Sequence, residues 1–113
     1  MSVEGFPGMI TLAMALVLVA PNPGAIDAPR HAFAACLKNF ETNQLNAKVD
    51  PAAYETAVKT ACAAEADALS QALIRYDVAM GTKRANAISN AERDVDDYRL
   101  TSVERYRDIM GNP

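Results

Sequence analysis

The sequence predicts an all-α fold: a disulfide-pinned antiparallel helical hairpin whose second helix is long. Three observations carry that expectation. The chain is rich in the helix formers Ala, Glu, Lys, Arg and Leu, and it has no Trp. Its apolar residues recur at spacings of three and four rather than alternating. Its only two cysteines, Cys36 and Cys62, fall at one height when the chain is folded back at residue 49.

The first 25 residues read as an address rather than as part of the fold. Residues 8–20, GMITLAMALVLVA, are almost wholly apolar, and Pro21, Asn22, Pro23 and Gly24 then break the run. An apolar core followed by turn residues and a small residue is the layout of a secretory signal peptide, with Ala25 the expected cleavage point. A spanning helix needs about 20 apolar residues, more than residues 6–20 supply. A retained membrane anchor over those residues is the alternative. Glu4 and the absence of Lys or Arg before the run depart from the usual basic start. Residues 26–113 then form a single helical domain, small enough that its core needs a staple or a partner.

The first helix is expected over about residues 28–45. Asp27 caps it, Pro29 suits its first turn, and Phe33, Cys36, Leu37 and Phe40 make one apolar face. Asn43, Asn46 and the Val49-Asp50-Pro51 sequence read as a connection, because the residue before a proline is pushed out of the helical region. Asp50 caps the next helix and Pro51 opens it. The same fold-back that aligns the cysteines sets Phe40 opposite Val58 and Phe33 opposite Glu65 and Ala66. Closing a loop of about 27 residues stabilises a fold by roughly 3.5 kcal/mol in the chain-entropy view. The distant spacing favours a structural disulfide over a Cys-x-x-Cys redox pair.

In the second helix Tyr54, Val58, Cys62, Leu69, Leu73, Tyr76 and Met80 share an arc of about 100°, interrupted by Glu65. The first helix is too short to cover all of it, which leaves Leu73, Tyr76 and Met80 without a partner. Gly81 decides the path of the remaining chain. With no proline over residues 82–90, the expectation is a helix that runs on to near Met110. The alternative turns at Gly81 into a three-helix bundle, and the capping-box spacing of Ser89 and Glu92 supports a fresh start. Val95, Tyr98, Tyr106 and Ile109 group within about 80° of the last segment's wheel.

Function classes narrow by exclusion. Net charge is −3, so neither nucleic acid nor an anionic membrane is an expected partner. A membrane enters only through residues 6–20 if the leader is retained. The single histidine, His31, has no catalytic or zinc-ligating companion at useful spacing and reads as a surface residue. Glu92, Asp94, Asp96 and Asp97 read as a solvated acidic face. The glycines make no phosphate loop, and nothing implies a cofactor or metal. Tyr54, Tyr76 and Tyr98 are separated by about six turns each and point in nearly one direction. They suit core-edge positions, or a contact stripe of the Tyr and Arg mixture that interfaces favour.

The resulting expectation is a small exported, periplasmic or secreted helical protein with a non-enzymatic structural or protein-interaction role. Tyr76, Met80, Val95, Tyr98, Tyr106 and Ile109 are its candidate contacts with a protein partner or a second copy. A small-ligand-binding or enzymatic helical domain, with Glu65 as its one apolar-stripe carboxylate, is the competing reading. A membrane-anchored accessory subunit is another.

Overall fold

The structure is a computed structural model and describes residues 22–111. Among the described residues it contains four helices and no strand. The helices are α1 (Gly24–Asn46), α2 (Pro51–Val58), α3 (Ala63–Ala79) and α4 (Arg84–Ile109). The apolar run at residues 6–20 lies outside the described residues, and no described helix is long and apolar enough to cross a membrane.

The all-α class and the disulfide stand. Cys36 and Cys62 are bonded, with their Cα atoms 6.0 Å apart. Of the two arrangements open for the rest of the chain, the structure has the folded-back bundle, so no helix runs from Pro51 to Met110. The chain leaves helical geometry twice on that path. The first departure is at residues 59–62. Short-range bonds from Lys59 N–H to Thr56 O and from Ala61 N–H to Val58 O replace the regular ladder, and Cys62 takes a left-handed conformation with φ 58°. A Cβ in that region is strained. Two tertiary features hold it there: the disulfide itself, and Arg99 of α4, whose Nη2 donates to Ala61 O at 2.7 Å.

The second departure is at Gly81, with φ 102°. Gly81 N–H donates to Val78 O and Thr82 N–H donates to Asp77 O. This pair of bonds satisfies the last carbonyls of α3 and demands a left-handed residue at position 81. The same geometry ends α1, where Lys48 N–H reaches Leu45 O, Val49 N–H reaches Gln44 O and Lys48 supplies the positive φ of 56°. Asp50 caps α2 as the sequence predicts, accepting from the N–H groups of Ala52 and Ala53.

Folding back gives α3 its cover. Ala87, Ala91 and Val95 of α4 are buried with Ala66, Leu69 and Ala72 of α3. Small residues on both surfaces let the two helices approach closely, and Leu73 packs at the edge of this core. On the other side Phe33 and Leu37 of α1 meet Tyr54 and Val58 of α2, with Val103 and Tyr106 of α4 closing the layer. Phe40 and Tyr54 rings lie 5.7 Å apart. The disulfide keeps the predicted alignment of Cys36 with Cys62, while Phe40 meets Tyr54, one turn from the Val58 that the sequence sets opposite it.

Candidate functional site

Helix α4 carries most of the specific polar contacts in the molecule. It lies across both α1 and α2, and Arg99, Arg105 and Arg107 reach partners on the neighbouring segments, while Arg84 and Arg93 are exposed. Arg105 meets Glu41 through three contacts, Nε at 2.9 and 3.1 Å and Nη2 at 2.8 Å. Ser102 Oγ donates to the same carboxylate at 2.9 Å. With its proton so used, Ser102 accepts from Tyr54 O–H at 2.6 Å. The result is a one-directional chain, Tyr54 to Ser102 to Glu41, closed by Arg105.

Glu41 is only 2% exposed, so the chain sits within the core. Burial by itself would push the Glu41 carboxyl up. The hydrogen bonds from Arg105 and Ser102 outweigh it and hold the group below the usual carboxylate range. Burial pushes the Tyr54 hydroxyl up, and it does the same to Tyr106. The Tyr54 and Tyr106 rings stack with centroids 3.9 Å apart. Tyr106 O–H donates to Val49 O at 2.5 Å, fixing the end of α4 against the α1–α2 connection. The Tyr54, Ser102 and Glu41 oxygens all face protein groups, while the outer side of Arg105 meets solvent. The network has the form of a structural lock rather than of a reacting centre.

Three further arginines, Arg30, Arg99 and Arg107, also tie helices together. Arg107 pairs with Glu55 of α2. Arg30 of α1 donates to the Tyr98 hydroxyl oxygen at 2.9 Å and pairs with Asp94 at 3.4 Å. Arg99 lies over the Phe33 ring at 5.4 Å while it binds Ala61 O. Tyr54, Tyr98 and Tyr106 with Arg99, Arg105 and Arg107 thus line the seam between α4 and the α1–α2 segment, while Tyr76 lies apart on α3.

This sorts the candidate contact residues. Val95 and Tyr106 are buried, at 7% and 0% exposed, and are corrected from contact residues to core residues. They are covered because α4 turns back at Gly81 and lays its apolar face on the other helices. Tyr98 is half-buried against Phe33, 5.4 Å between rings. Tyr76 is half-buried on α3. Met80 and Ile109 remain exposed, at 59% and 55%. Sequence reasoning missed Val78, Ile88, Leu100 and Met110, which are also exposed. Val78 lies in the last turn of α3 and Ile88 in the second turn of α4. Their signal was available. Val78 lies opposite the predicted arc of its helix, and Ile88 continues the Val95 face two turns earlier.

The other sequence candidates are placed one by one. His31 is exposed on α1. Asp94 is engaged by Arg30, while Glu92, Asp96 and Asp97 are exposed. Glu65 is half-buried, and its neighbours are the two sulfurs of the disulfide rather than the walls of an enclosed cavity. An open groove runs between α3 and α4, with Lys59, Asp67, Glu92, Asp96 and Arg99 among its lining residues. It is lined by charges of both signs. The pairing of the two cysteines fits an oxidising, non-cytosolic compartment. Comparison with protein-family models, with curated proteins and with solved structures finds no match to this chain.

Proposed function

We propose that this is a small exported helical protein with a non-enzymatic structural or protein-interaction role. Its contact surface is the tip of the α3–α4 hairpin. The observation that carries the reading is the exposure of three large apolar residues near that tip, Val78 at 40%, Met80 at 59% and Ile88 at 38% exposed. Half-buried Tyr76 lies one turn below them. Large apolar side chains left exposed near one tip of a small domain suit an interaction site. The apolar leader and the disulfide support export, since structural disulfides persist in oxidising compartments. The use of Arg99, Arg105 and Arg107 to tie α4 to its neighbours supports a scaffold role for the rest of the molecule.

The test combines light scattering behind size exclusion with affinity capture from the exported fraction. Wild-type protein self-associates or retains a protein partner, and Val78→Asp with Met80→Asp abolishes this while circular dichroism stays unchanged. A strict monomer that retains nothing overturns the proposal.

A further inference from the structure

Cys36 on α1, Cys62 at the head of α3 and Glu65 one turn into α3 bring two sulfurs and a carboxylate oxygen within 4.8 Å of one another. Cys62 and Glu65 are three residues apart, so they share a helix face. All three residues are half-buried, which shields them while leaving an approach from solvent. Among the described residues Glu65 has no ion-pair partner, although it stands on a face that is otherwise apolar.

We propose that Cys36, Cys62 and Glu65 form a redox-gated site for one zinc-class divalent cation. Two thiolates and a carboxylate are three protein ligands of the kind zinc takes, and water completes the tetrahedron. Thiolates select borderline and soft ions over magnesium and calcium. In a tetrahedral site with bonds of ~2.3 Å the two sulfurs stand ~3.8 Å apart. The Cα separation of 6.0 Å lets both side chains reach one ion without moving α1 from α3. The disulfide lacks the thiolate charge needed for binding, so the site exists only after reduction. A dithiol supplies two electrons and two protons, cleaving the Cys36–Cys62 bond and closing to its own disulfide. The two thiols then release two protons to solvent as the metal ion binds both sulfurs. The ion restores a cross-link between the same two elements.

The experiment uses the whole chain, reduced by a phosphine that leaves no competing thiol, and titrated anaerobically with Co2+. The expected result is a thiolate-to-cobalt charge-transfer band that saturates at one ion per chain and is displaced by Zn2+. The band is absent from the oxidised protein and from Cys36→Ser. Glu65→Gln, checked for unchanged folding in its oxidised form, weakens binding by about tenfold or more, as loss of a metal-site group does. If reduction melts the helices, Co2+ restores the circular dichroism of the oxidised protein. Absence of the band at stoichiometric cobalt overturns the site. Equal affinity in Glu65→Gln, a band in the oxidised protein, or binding that leaves melted helices unrestored does the same.

Discussion

Arg105 of α4 holds Glu41 of α1 by both carboxylate oxygens, at distances between 2.8 and 3.1 Å, across 64 residues of sequence. The carboxylate is buried and the guanidinium is 41% exposed, so the two ends of the pair are not equivalent. Removing the arginine leaves an uncompensated charge in the core. Neutralising the glutamate leaves an arginine that can turn to water.

Arg105→Ala is therefore expected to destabilise the protein more than Glu41→Gln. Breaking a fully buried pair costs about 3–5 kcal/mol. Water reaching the Arg105 site reduces the loss to about 2 kcal/mol. Urea unfolding followed by circular dichroism measures both variants, and an Arg105→Ala midpoint at or above that of Glu41→Gln contradicts this account.

The pH dependence rests on the same groups. Glu41 has a depressed folded-state pKa, so its contribution is present above the ordinary carboxylate value and is lost as pH falls through the folded value. Tyr54 and Tyr106 have raised folded-state values. Their neutral forms favour the fold, and that contribution is lost as pH rises past the ordinary tyrosine value of about 10. The melting temperature should fall on both sides of a neutral plateau. Glu41→Gln should flatten the acid limb and leave the alkaline limb in place, which a melting series across pH tests directly.

Gly81→Ala should cost about 1 kcal/mol or slightly more. The φ of 102° disfavours any Cβ. No atom lies within 4 Å of the position the Cβ would take, so the cost is confined to the backbone. Thermal melts of oxidised protein measure it. A neutral or stabilising effect means that the turn at residues 80–83 is not formed in solution.

Tyr106→Ala should be far more damaging than Tyr98→Ala. Tyr106 is fully buried, stacks on Tyr54 and donates to Val49 O. Truncating a buried aromatic costs about 3–5 kcal/mol. Tyr98 keeps a solvent-facing side and loses a tilted contact with Phe33 and a bond from Arg30, for about 1–2 kcal/mol. Denaturant midpoints of the two variants decide the order.

The parts of this fold that were legible in the sequence are those set by local chemistry. Asp50 and Pro51 mark the start of α2, and the cysteine heights follow from fixed helical rise. The capping of α3 was half-legible, because Gly81 fits a C-terminal cap and a tolerated helix interior equally well in sequence. The decision rests on packing, since folding α4 back buries Ala66, Leu69 and Ala72 together with Ala87, Ala91 and Val95. The break at residues 59–62 carried no local sign. Lys59, Thr60, Ala61 and Cys62 include neither glycine nor proline, and the turn is held by Arg99 from 38 residues away. Glu41 and Ser102 were missed for the same reason. Each looks like an ordinary surface residue until α1 and α4 are brought together. Apart from Tyr76, the Tyr and Arg stripe was real as a pattern, but its partner proved to be the protein's own α1–α2 segment.

The disulfide closes a ring from residue 36 to residue 62, and α3 and α4 follow it as a tail. Helix α1 and the head of α3 therefore cannot separate without chemistry, and α2 is held within the ring they close. Helix α4 can depart by swinging about the residue 80–83 turn, with every covalent bond intact. Its departure would uncover Tyr54, Leu69 and the charged Glu41 together, leaving a cross-linked core with one side open. Stability in this molecule is layered: reductant governs the inner layer, while acid, alkali and the arginines of α4 govern the outer one.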